Sequence, residues 1–193
     1  MKLAVVLFNL GAPDRPESVK PFLYNLFNDP AIIEVPQPLR ALLARFIAGR
    51  RHTLAREIYG QLGGGSPLLA NTLAQAGALK AALADLGQVE VLPAMRYWHP
   101  MTGEAAAQLS RLDAEQVVLL PLYPQFSAST TGSSLAAWSK AAGRLGIKAH
   151  SRAVCCYPAE PGFVAAVAAL IRPAYERTAA AVPNKPPRLL FSA

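Results

Sequence analysis

The run Lys2-Leu3-Ala4-Val5-Val6-Leu7-Phe8 constrains this chain more than any other stretch. It is apolar without alternation, carries β-branched residues at its centre, and breaks at Asn9 before Gly11 and Pro13. A strand with one wet face alternates polar and apolar residues, whereas a strand covered on both faces reads as a continuous apolar run. Four further runs have a similar character, at residues 89–94, 116–122, 148–154 and 188–192. Between them, residues 68–86, 102–112, 133–145 and 162–181 carry helical periodicity, the last interrupted by Pro173, where a bend or split is expected. Strands that alternate with helices predict an α/β fold, a parallel sheet with helices on both faces.

The opening run also has the look of a secretion signal, with a lysine ahead of an apolar core. No small-residue cleavage site follows it, and a first buried strand fits better. No apolar stretch approaches the roughly 20 residues that a membrane span requires. The only cysteines, Cys155 and Cys156, are adjacent, which is neither a C-x-x-C site nor a disulfide framework. That usage fits a reducing, cytoplasmic setting.

Charge is unevenly placed. The chain carries a formal +7. Arg40, Arg45, Arg50, Arg51 and Arg56 fall in a stretch without an acid, and Lys140, Arg144, Lys148 and Arg152 recur in a second one. An anionic partner is implied, whether a carboxylate ligand, a lipid surface or nucleic acid. The second cluster reads as a solvated basic face. Residues 18–27 and 39–48 look helical; in the latter Leu39, Leu42, Leu43, Phe46 and Ile47 share a stripe flanked by Arg40 and Arg45. Such a helix packs on the core or rests on a membrane surface, and core packing is the expectation.

Ligands of open parallel sheets bind beyond the carboxyl ends of the strands. The unusual residues fall there: "NLGAP" after the first strand, "MRYWHP" after the second, "LYPQFSASTTGSS" after the third and "FSA" after the last. "IYGQLGGGSPLL" lies instead between two helices; its glycines allow close backbone approach, and Ser66-Pro67 can open the next helix. It is not a P-loop, because no strand precedes it and no Gly-Lys-Ser/Thr follows. "STTGSS" reads as a helix cap, with phosphate binding as the alternative. Arg96, Tyr97, Trp98 and His99 combine a fixed charge with flat apolar faces suited to a large planar acid; alternatively Trp98 is core and His99 closes a turn. No nucleophile elbow, His-Glu-x-x-His or carboxylate pair completes a catalytic set. A nucleotide-binding α/β protein using Gly63 to Ser66 and Thr131 to Ser133 is a weaker alternative.

"NLGAP", "GGGSPL", "MRYWHP" and "YPQFSASTTGSS", in this order and at these intervals, closely resemble the amino-terminal half of the ferrochelatase family, over essentially the whole chain. The resemblance implies a Rossmann-like, chelatase-type fold, with residues 1–160 as a first domain and 161–193 as a crossing helix and first strand of a second. It implies insertion of ferrous iron into protoporphyrin IX to form protohaem. In the family, His-x-Leu-Pro follows the motif at Phe191-Ser192-Ala193 and supplies the catalytic histidine, and a glutamate lies further on; the chain is therefore expected to be cut inside the first strand of its second domain and to hold porphyrin without those groups. By resemblance Leu10 packs on the macrocycle, Arg96 and Tyr97 line the pocket floor, Tyr123 adds an aromatic edge, and Arg51, Tyr59 and Ser66 hold the propionates. Residues 39–51 match the pocket lip, where the family meets membranes. The substrates are protoporphyrin and ferrous iron, with no tightly bound cofactor and no nucleic acid. Ala128 stands where animal members carry a cluster-ligating cysteine, so an iron-sulfur cluster of that type is not expected. Insertion of cobalt into a tetrapyrrole, and porphyrin binding without catalysis, are the alternative functions.

Overall fold

The structure is a computed structural model and describes residues 2–190. The chain divides into two compact units, Met1–Cys156 and Tyr157–Ala193. In the first, strands β1 (Lys2–Asn9), β2 (Gln88–Met95), β3 (Gln116–Pro121) and β4 (His150–Ala153) form a parallel sheet in the order β2-β1-β3-β4. The helices are α1 (Val19–Phe27), α2 (Leu39–Gln61), α3 (Leu68–Ala82), α4 (Thr102–Leu109) and α5 (Ser133–Leu145).

The unbroken apolar run of β1 is explained by its central place in the sheet. Ala4, Val6 and Phe8 point to one face, where they meet Ala105, Ala106 and Leu109 of α4 and Trp138 of α5. Leu3, Val5 and Leu7 point to the other, against Ala76 of α3. Phe8 lies edge-on to Trp138 at 6.2 Å between ring centroids. Burial of each large side chain in such a layer contributes about 1.5–3 kcal/mol. The chain runs from β1 to β2 on one side and then crosses to β3 on the other, which places a topological switch at the carboxyl ends of β1 and β3.

Several expectations are corrected. Strand β4 is shorter than residues 148–154, and all four of its residues are exposed, since it is the sheet edge with a single neighbour. Helix α3 ends at Ala82, and a tighter 3-10 turn covers Ala84–Leu86. Helix α2 does not stop at residue 48 but continues to Gln61, carrying Arg50, Arg51, Arg56 and Tyr59 with it. Its apolar stripe does not form the core: Leu42 and Phe46 are about three-fifths exposed, at 63% and 60%. The positions that α2 buries are Ala44 and Ala48, whose small side chains allow α1 to pack closely.

In the second unit, α6 (Pro161–Ala181) is capped by the Glu160 carboxylate, which accepts from Phe163 N at 2.7 Å. It runs through Pro173 without the anticipated split. Residues 188–190 are not in a strand, and the remainder of the expected strand, with the "FSA" tip, lies outside the described residues.

Candidate functional site

The loops beyond β1 and β2 are joined by backbone hydrogen bonds. Arg96 N donates to Asn9 O and Tyr97 N to Leu10 O, both at 2.9 Å. The Asn9 side chain fixes the turn, accepting from Leu10 N at 2.8 Å and donating to Thr72 Oγ1 on α3 at 3.0 Å. Gly11 is required here: its φ is +81°, and a Cβ would lie 2.8 Å from Trp98 N. The Gly63-Gly64-Gly65-Ser66 loop, remote from the strand ends in sequence, is drawn onto the same turn. Ser66 N donates to Pro13 O at 2.8 Å, and a Cβ on Gly65 would come within 2.2 Å of Asp14 O. Only the absent side chain permits this approach.

Leu10, Tyr59 and Trp98 pack around one cluster whose centre is Tyr97 with Val19, Phe22, Leu23 and Ala48. Tyr97 is fully buried. Burial, and then its bond to Asp29, push its phenol up to about 12. Burial likewise raises Tyr59. Arg51 holds its guanidinium 5.8 Å above the Phe27 ring. Ser66 Oγ accepts from Leu68 N at 3.2 Å and so helps to start α3. No hydrogen bond among the described residues joins the side chains of Arg51, Tyr59 and Ser66.

Asp29 is the site residue that sequence reasoning missed. It is 3% exposed, in the connection after α1. Its Oδ2 accepts from Tyr97 Oη at 2.8 Å and Ser133 Oγ at 2.5 Å and pairs with Arg96 Nη2 at 2.7 Å, while Oδ1 accepts from Ala31 N at 2.9 Å. Arg96 Nε also donates to Ser133 Oγ at 2.6 Å. Burial alone would raise the carboxyl. The donors Ser133, Ala31 and Tyr97 and the Arg96 charge outweigh it and hold Asp29 below its usual 3.8. A carboxylate so engaged is no proton acceptor for a ligand. Arg96 is correspondingly a neutralised, oriented donor rather than a free cation.

"STTGSS" builds a π-helical turn, Ala128–Gly132, ahead of α5. Ser127 Oγ accepts from Thr130 N at 3.2 Å and meets Thr130 Oγ1 at 2.5 Å, a capping arrangement. The buried hydroxyls of Tyr123, Thr131 and Ser134 have no hydrogen-bond partner in the structure. Burial raises the Tyr123 phenol well above the ordinary range; Ser134 is near enough to offset part of that rise without meeting hydrogen-bond geometry. Trp98 is half-buried and donates from Nε1 to Asp14 Oδ1 at 2.9 Å. His99 faces Glu104 across 2.8 Å at the start of α4.

These features define a doubly wound α/β domain whose strand-end loops bring Leu10, Trp98 and the Asp29-bound Arg96 and Tyr97 to one place, a candidate ligand site. The family model described as Ferrochelatase matches residues 2–193. The protein named Ferrochelatase from Hyphomonas neptunium is 53% identical over 181 residues, covering 91% of this chain and 49% of the relative. Its namesake from Caulobacter vibrioides is 53% identical over 195 residues, 100% of this chain and 54% of the relative. That from Phenylobacterium zucineum is 50% identical over 198 residues, 100% and 55% respectively. The chain belongs to the ferrochelatase family, and it spans about half the length of the curated relatives it matches.

Proposed function

We propose that this chain is the porphyrin-holding part of an enzyme that inserts ferrous iron into protoporphyrin IX to form protohaem. The observation that carries the reading is the meeting of the "NLGAP", "GGGSP" and "MRYWHP" loops at the carboxyl ends of β1 and β2, held by the bonds of Ser66 N, Arg96 N and Tyr97 N. In this reading Leu10 and Trp98 offer apolar surface to the macrocycle, and Arg51, Tyr59 and Ser66 take its carboxylates. Arg96, fixed by Asp29, forms the floor, with the fully buried Tyr97 supporting it from beneath, and Tyr123 the adjoining wall.

Metal insertion requires two pyrrole N–H protons to leave, which calls for a base beside the ring. The one deeply buried carboxylate of the described site, Asp29, already serves four donors. The part assigned to this chain is therefore to bind, orient and exclude water, with no resident cofactor. Residues 1–160 form the first chelatase domain and 161–193 begin a second. The exposed Leu39, Leu42 and Phe46, beside Arg45 and Arg50, suit a peripheral membrane contact of a cytoplasmic protein. Among the described residues no helix is long and apolar enough to cross a membrane.

The test is a visible-absorption titration with protoporphyrin IX. The double variant Arg51→Ala, Ser66→Ala is expected to bind at least about tenfold more weakly, the loss of charge-assisted contacts to a propionate. Unchanged affinity would refute the assignment.

A further inference from the structure

A cavity of about 810 Å³ opens between the loop after α1, the start of α4 and the outer face of α5. Arg40, Arg96, Lys140 and Arg144 line it, against the single carboxylate of Asp29. That carboxylate is saturated by Tyr97, Ser133, Arg96 and Ala31, so it neutralises Arg96 and nothing else. Residues 116–159 contain no acid, and neither the Lys140 nor the Arg144 side chain forms an ion pair or hydrogen bond among the described residues. Arg40 is held by backbone carbonyls, donating from Nε to Asn28 O at 2.9 Å and from Nη1 to Val35 O at 2.8 Å. Those bonds fix its position and leave its charge uncompensated. Phe126, 55% exposed, adds an apolar surface to the same cavity, together with Ala136 and Ala137.

Three cations without counter-ions around one concavity create a local positive potential, strongest where low-dielectric walls focus it. The volume is that of a small-molecule site. We propose that this cavity binds a small organic polyanion, a molecule bearing several carboxylate or phosphate groups, with its charges on Arg40, Lys140 and Arg144 and its carbon skeleton against Phe126. Arg51, Tyr59 and Ser66 do not line it, and of the proposed porphyrin-contacting groups it shares only Arg96, which the Asp29 carboxylate already engages. It also turns two members of the second basic cluster, which the sequence presents as a solvated face, into one wall of a receptor.

The experiment is isothermal titration of the full chain with citrate at low ionic strength, repeated with inorganic phosphate as competitor. Saturable citrate binding is expected, weakened at least about tenfold in Lys140→Glu, Arg144→Glu and retained in Lys140→Arg, Arg144→Lys. Far-UV circular dichroism confirms that each variant is folded. Displacement by phosphate extends the site to both oxyanions, and its failure to compete restricts the site to carboxylates; both agree with the proposal. No saturable heat below about 10 mM citrate, or equal affinity in the charge-reversed variant, overturns it. Protoporphyrin titration of the same charge-reversed variant is expected to match the unaltered chain, so this site and the porphyrin reading fail independently.

Discussion

Replacing Asp29 by alanine tests the reasoning at its most exposed point. The carboxylate is almost fully buried and receives four donors from three segments, so its removal strands the Arg96 guanidinium and the Tyr97 and Ser133 hydroxyls together. Breaking one partner of a buried ion pair costs about 3–5 kcal/mol. The Arg96 side chain keeps 22% of its exposure, which lets water recover part of its solvation and places the expected loss near the low end, at ~3 kcal/mol. Asp29→Asn is milder, at ~2 kcal/mol, because an amide can turn its oxygen to Ala31 or to the other donors but not to both. Urea denaturation followed by far-UV circular dichroism measures both. A pH series adds a sign. Because the folded carboxyl lies below its usual 3.8, its stabilisation is complete above that pH and disappears as pH falls through the lower folded value. The gap between the unaltered chain and Asp29→Asn is therefore constant near neutrality and closes in acid below about 3.8. A loss under about 1 kcal/mol for alanine, or a gap that stays open in acid, would show that the network does not hold the site.

Tyr123→Phe removes a buried hydroxyl that has no partner. Stability is expected to hold or rise by up to ~1 kcal/mol, and a comparable loss in urea denaturation would contradict the unpaired geometry. Leu42→Glu with Phe46→Glu changes two exposed side chains of α2, so stability should stay within about 0.5 kcal/mol. Co-sedimentation with vesicles containing anionic phospholipid should fall; undiminished binding would remove the membrane contact proposed for this helix.

The parts of this fold that sequence could announce are those whose causes are local. A strand buried on both faces must be apolar throughout, so β1 was plain from its unbroken run, and the helix expected over residues 133–145 has the same bounds in the structure, where the left-handed Gly146 ends it. The loops beyond β1 and β2 were legible as a candidate site because turn residues and aromatic residues fell together after apolar runs, and the structure does join those loops. Helix α2 misled for a physical reason. Its apolar stripe has the pattern of a buried face, yet the face it buries is carried by two alanines, which have little hydrophobic signature and matter only because a second helix comes close. Asp29 was unreadable for a different reason: its side-chain donors sit at positions 96, 97 and 133, and nothing near residue 29 foretells them. The placement of the Gly63–Ser66 loop against Pro13 was equally non-local, although three consecutive glycines did signal a backbone that something approaches closely.

Helix α2 is a single piece of 23 residues, about 35 Å of continuous rod at 1.5 Å per residue. Phe46 lies about a third of the way along it, level with Ala44 and Ala48, and Tyr59 lies near its carboxyl end, roughly 20 Å further on along the axis. A rod of that kind has no joint between the two. The same rod packs Ala48, Ala55 and Tyr59 on the cluster around Tyr97, so a displacement that moves the exposed Phe46 moves Tyr59 with it.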